Sequence, residues 1–117
     1  MRRRSLVVVL HDDAGHHGYG ESPPFELPFY SEETLGSARL LLQQVLIPRL
    51  LGREFDGPEA VDALLRQGVR GNPFARAALE TAAWDLEAHR RGTGIAALLA
   101  ERLGVTPAAR IPCGVAL

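Results

Sequence analysis

The chain contains no lysine: all thirteen of its basic residues are arginine, balanced by fourteen Asp and Glu for a net charge of −1. Arginine stays protonated far above neutral pH, so no basic side chain here readily serves as a general base. The near-zero net charge excludes a broad positive field of the kind that holds a phosphate backbone. The one dense basic run, Arg2-Arg3-Arg4, reads as a solvated terminus, so no nucleic-acid partner is expected. With a single cysteine, Cys113, an internal disulfide or a thiolate zinc site is excluded. A reduced cytoplasmic setting follows as the expectation. Long apolar runs are also missing. Leu6 to Leu10 ends at His11-Asp12-Asp13, too short for a signal core or a membrane span, so no membrane partner is expected. At 117 residues the chain is too short for a closed (β/α)8 barrel, which needs roughly 200 or more. Its 46% apolar content is nevertheless enough for one globular domain.

What is present alternates between strand and helix signals. Ser5 to Leu10 is rich in β-branched residues, Asp12-Asp13-Ala14-Gly15 is a turn cluster, and His16 to Glu21 is a second, glycine-loosened strand. This predicts a β-hairpin, which needs a third strand or a helix layer to be stable. Ser22 to Tyr30 combines Pro23, Pro24 and Pro28 with Phe25, Phe29 and Tyr30, an ordered loop packed against something. Ser31 is read as an N-cap with Glu32 and Glu33 in the first helical turn. Leu35, Ala38, Leu41, Leu42, Val45 and Leu46 follow as an amphipathic stripe that Pro48 ends or kinks. A second helix starts at Asp56-Gly57-Pro58-Glu59, with either an Asp56/Glu59 capping box or Gly57 as cap, and buries Ala60, Val61, Leu64 and Leu65. A third, alanine-rich helix runs from Asn72-Pro73 to about Arg91, and a fourth spans roughly Ile95 to Leu103 before Gly104. Ile111 to Leu117 reads as a buried strand. The order hairpin, helices, strand gives an α+β layer structure.

Four segments, in order, carry a family resemblance: Gly18-Tyr19-Gly20-Glu21-Ser22; Tyr30-Ser31-Glu32-Glu33; the helix Asn72-Pro73-Phe74 through Ala78-Leu79-Glu80 to Trp84-Asp85-Leu86; and Ile111-Pro112-Cys113-Gly114-Val115. The chain resembles the N-terminal capping domain of the enolase superfamily, in the mandelate racemase/muconate lactonizing enzyme group. It is most similar to o-succinylbenzoate synthases and N-acylamino acid racemases. The resemblance implies a hairpin that is the remnant of a three-stranded antiparallel sheet, packed on about four helices. Residues 1–110 would form the capping domain without its first strand, and 111–117 the first strand of a barrel whose remainder is absent. It further implies a small carboxylate substrate, proton abstraction α to the carboxylate by barrel lysines, and Mg²⁺ held by barrel carboxylates. The product would be o-succinylbenzoate, for menaquinone synthesis, or a racemized N-acylamino acid; both remain open. A homo-oligomer is expected. The 117 residues alone, lacking lysine and the barrel carboxylates, are predicted to be inactive.

Tyr30 is the substrate-binding candidate that the resemblance implies, in a loop facing the barrel mouth; the competing reading is an aromatic packed on Phe25 or Phe29. Phe29 carries the same choice with a stronger pull to the core. No catalytic or metal-binding residue is assigned within the chain. Ala116 stands where family members can present a serine, so that contact is in doubt here. Cys113 is read as a small buried filler, Asp85 as a carboxylate that accepts hydrogen bonds and fixes domain geometry, and Glu21 as a strand-end acceptor. His16 and His17, adjacent in a strand, point to opposite faces and cannot easily share an ion with each other or with His11. A different class of function stays possible: a stand-alone, non-catalytic α+β module acting through an unpaired sheet edge.

Overall fold

A computed structural model describes residues 3–114. Strands β1 (Leu6–His11) and β2 (His17–Ser22) form a two-stranded antiparallel sheet in which Leu6 faces Ser22 and His11 faces His17. The connecting turn is held by Asp12: Oδ1 accepts from the N–H groups of Ala14 (3.0 Å) and His16 (2.8 Å), and Oδ2 lies 2.9 Å from the His16 ring nitrogen Nδ1. Gly15 takes the positive φ of 88° that closes it.

The helical part begins at α1 (Leu35–Leu41), continues without a break through a π-helical turn (Leu42–Leu46) and ends in α2 (Ile47–Leu50). Pro48 therefore neither stops the helix where it stands nor sits in regular α geometry. A proline ring collides with the carbonyl four residues earlier, here that of Gln44, and the widened turn that contains Gln44 relieves this. Two residues beyond Pro48 the helix ends. Helices α3 (Pro58–Arg66), α4 (Pro73–Arg90) and α5 (Ile95–Leu103) follow. Counting Leu35–Leu50 as one rod, four helices pack on the hairpin, an α+β arrangement. Of the two caps open for α3, the structure takes Gly57, at φ 85°, with Pro58 in the first turn.

Helix α4 organises the core. Its buried residues Ala75, Ala78, Leu79, Ala82 and Ala83 lie against β2 and α3, and Val8, Leu42, Leu46, Val61 and Leu65 complete the same cluster. The approach to β2 is backbone on backbone. A Cβ built on Gly20 would stand 1.8 Å from the carbonyl oxygen of Ala78, and one on Gly18 would stand 2.1 Å from that of Ala82. Small residues on both partners are what let a helix lie this close to a strand.

Three expectations are corrected. Ser31 does not cap α1; Thr34 does, in a reciprocal box with Ser37, whose hydroxyl takes the place of the usual acidic side chain. Ile111 to Gly114 is exposed and forms no strand, because no neighbouring strand lies there to supply hydrogen bonds; Val115 to Leu117 lie outside the described residues, as does Ala116 with them. Cys113 is exposed rather than a buried filler.

Candidate functional site

The loop from Ser22 to Thr34 is held at both ends. At its start the Arg3 guanidinium donates to the Pro23 carbonyl (3.0 Å) and lies 5.2 Å from the Phe25 ring centroid, a cation–π contact. The Phe25 carbonyl then accepts from the N–H of Leu35 (2.9 Å), tying the loop to the first residue of α1. At its far end Glu33, only 2% exposed, reaches α4: its two carboxylate oxygens accept from the N–H groups of Phe74 (2.7 Å) and Ala75 (3.1 Å). A carboxylate there meets the positive end of the helix dipole and satisfies two of the donors every helix start leaves open.

Sequence reasoning missed this role. It placed Glu33 in the first turn of α1 and made Asn72 the cap of α4. In the structure Asn72 occupies the left-handed region (φ 54°, ψ 48°) and its side chain donates back to the Arg70 carbonyl, so it caps nothing. The available signal was the demand itself: Asn-Pro opens α4 but leaves Phe74 and Ala75 needing an acceptor.

Between these anchors the loop arches out. Phe29 is 84% exposed and Tyr30 79%, with Leu27 also in solvent. Tyr30 meets Phe25 edge-to-face at 6.0 Å, so the packing reading of Tyr30 holds in part, yet most of its ring stays free. The stronger core expectation for Phe29 fails: the turn marked by its N–H bond to the Leu27 carbonyl (2.8 Å) throws the ring outward. Arg3, Pro23, Pro24, Phe25, Tyr30 and Phe74 line a cleft of about 370 Å³ beside this arch. Arg3 is its one charged group, a donor suited to a carboxylate, and nothing in the lining can move a proton near neutral pH.

The opposite end of the sheet is a structural junction. Asp85 accepts from the N–H of Tyr19 (2.9 Å) and His89 Nδ1 donates to the His17 carbonyl (2.6 Å), so α4 covers the outer edge of β2. Asp85 thus fixes geometry as expected. Glu21, read as a strand-end acceptor, is exposed on β2 opposite Val7 and accepts no hydrogen bond among the described residues. Burial pushes the Asp12 carboxyl up, but the hydrogen bonds and charge of His16, with the Ala14 N–H, outweigh it and hold the group below the ordinary aspartate range. His11 and His17 face each other across the strands at 5.3 Å between ring centroids, while His16 turns to Asp12. Among the described residues no group of three or more His, Cys, Asp or Glu is placed to hold a metal ion, and no helix is long and apolar enough to cross a membrane.

Residues 1–100 match the family model for the mandelate racemase / muconate lactonizing enzyme N-terminal domain. The chain belongs to this family. As a member of the N-terminal domain family it is 41% identical over 114 residues to an o-succinylbenzoate synthase of Bacillus subtilis, covering 97% of this chain and 29% of the synthase. It is also 42% identical over 90 residues to an N-succinylamino acid racemase of Thermus thermophilus, covering 77% of this chain and 24% of the racemase. The domain therefore spans less than a third of the enzymes it matches. Among solved structures, an enolase-superfamily member from Listeria innocua superposes with a TM-score of 0.78 at 38% identity, over 81% of this chain and 25% of that one. The muconate lactonizing enzyme of Pseudomonas putida superposes with a TM-score of 0.78 at 26% identity, over 83% of this chain and 27% of that one.

Proposed function

We propose that this domain caps the substrate pocket of an enzyme of the o-succinylbenzoate synthase or N-acylamino acid racemase type, and that Phe29 and Tyr30 are its contribution to that pocket. The observation that carries this reading is the arch itself. Two aromatic rings are left in water on a loop whose ends are pinned by Arg3, Leu35 and Glu33. Exposed apolar side chains held on a fixed frame are a contact surface awaiting a complement. The synthase and racemase relatives supply the substrate class, a small carboxylate from which an α-proton is removed.

In this reading residues 1–110 are the cap, and the reacting groups lie on a barrel that continues from 111–117. The cap shapes the pocket and excludes water; it moves no proton, because it has no lysine and its carboxylates are committed to turns and helix ends. Magnesium, when bound, supplies charge stabilisation for the enediolate. The described residues hold no donor set that fits it, so the ion belongs to the barrel and no step is drawn through it here. The isolated chain is inactive in this reading, and the enzyme works in the cytoplasm, its synthase form serving menaquinone synthesis.

The test joins this chain in frame to the barrel of the B. subtilis synthase, replacing that enzyme's own N-terminal domain. Phe29→Ala and Tyr30→Ala should then each raise KM about tenfold, the equivalent of roughly 1.4 kcal/mol of lost binding, with melting unchanged. Kinetics unaltered by either substitution would remove both residues from the pocket. A non-catalytic module, the second reading, is favoured by one observation, the uncovered edge of β1, and would leave the fusion without turnover.

A further inference from the structure

The two edges of the sheet are treated differently. Asp85 and His89 of α4 occupy the outer edge of β2. Nothing among the described residues lies against the outer edge of β1, since the sheet has only two strands. Asp12 N–H donates to the His16 carbonyl (3.1 Å), which fixes the alternation: Leu6, Val8 and Leu10 turn their backbone groups toward β2, and Val7, Val9 and His11 turn theirs outward. β1 also carries none of the features that usually block edge pairing. It has no proline, no lysine, no bulge and no inward charge in Leu-Val-Val-Val-Leu-His.

We propose that this edge pairs with β1 of a second copy of the chain, antiparallel about a two-fold axis at Val8. The sequence around that axis is self-complementary. Val7 falls opposite Val9 of the copy and Leu6 opposite Leu10, so the outward-facing backbone groups of Val7 and Val9 meet in hydrogen-bonded pairs. The same register brings Arg3 and Arg4, before the strand, to the end where the copy carries Asp12 and Asp13. A strand that is basic before its apolar run and acidic after it matches only an antiparallel partner; a parallel one would set like charges side by side. On the solvent face Val7, 65% exposed, and Val9 join their counterparts in one apolar strip across the axis, flanked by Tyr19. Asp13 makes no ion pair within its own chain among the described residues, and Arg3, although bonded to the Pro23 carbonyl, keeps further donors on its guanidinium. The inference stands on the sheet alone and does not depend on the capping role.

Sedimentation of the 117-residue chain up to about 1 mM tests it, with amide exchange read at Val7, Val9 and His11. The expected result is a monomer–dimer equilibrium with protection of those three amides that rises with concentration. Arg3→Asp and Asp13→Arg should each weaken the dimer at least tenfold, and an equimolar mixture of the two variants should restore it, because each opposed pair then has opposite charge. Val9→Pro, which removes an N–H that β2 does not use, should leave a folded monomer. A chain that stays monomeric at the highest concentration overturns the proposal. So does protection of the β1 edge in a monomer, which would mean that another segment covers it, or a mixture that associates no better than its components.

Discussion

Replacing Gly20 by alanine adds one methyl group where the structure has no room for it. The new Cβ would lie 1.8 Å from the Ala78 carbonyl oxygen and 2.8 Å from its carbon. Ordinary contact distances are 3.5 Å or more, so α4 and β2 must separate by roughly 1.5 Å. The obstacle is helix backbone, which cannot swing aside as a side chain could. Overpacking of this kind costs about 1–3 kcal/mol and sometimes more; the upper figure is expected here, because the separation also loosens Ala78, Ala82 and Leu79 in the core. Against a stability of order 0.05–0.15 kcal/mol per residue, 3 kcal/mol is a large share and lowers the melting temperature by roughly 10–20 °C. The same substitution at Gly36 supplies the contrast. That glycine is exposed within α1, and a Cβ there meets only the Thr34 hydroxyl at an ordinary 3.8 Å. Gly36→Ala should therefore stabilise by about 0.5–1 kcal/mol through helix propensity. Thermal unfolding followed by circular dichroism reads both. A Gly20→Ala variant melting within about 2 °C of the parent would refute the close seating of α4 on β2.

Glu33→Ala should cost about 1–3 kcal/mol by orphaning two buried N–H groups at the start of α4, and Glu33→Gln less, since one acceptor oxygen remains; equal melting of the two variants contradicts the capping role. For Asp12, a native pKa held below its unfolded value contributes stability that is complete above about 3.9 and is lost as pH falls through the native value. Asp12→Asn should accordingly flatten the acid side of the stability–pH curve, and a carboxyl titration by NMR should give a midpoint below the ordinary one; an ordinary midpoint contradicts the turn described for Asp12.

Local chemistry was readable where the partner is close in sequence. The hairpin, the glycine and proline boundaries of α3 and the glycine stop after α5 each follow from conformational preferences that tertiary contacts leave intact. The alanine spacing in α4 also announced a close contact, although not that its partner would be the glycines of β2. Glu33 was misplaced because its ligands, Phe74 and Ala75, lie some forty residues further on, while an attractive local alternative stood beside Ser31. Thr34 escaped notice because Ser37, not an acidic residue, closes its box. Apolar composition alone suggested a strand at Ile111–Gly114, but a strand requires a neighbour. For the loop, proline and aromatic content foretold order; that Phe29 would face water depended on how Leu27 and Phe29 turn the backbone.

The central claim is that this domain shapes a pocket whose reacting groups lie elsewhere. Formation of o-succinylbenzoate with magnesium present, measured for the 117 residues alone and for the same residues joined to the B. subtilis barrel, tests it most directly. The account predicts turnover only in the joined protein. Turnover by the chain alone, or a folded fusion with none toward either a synthase or a racemase substrate, would contradict it.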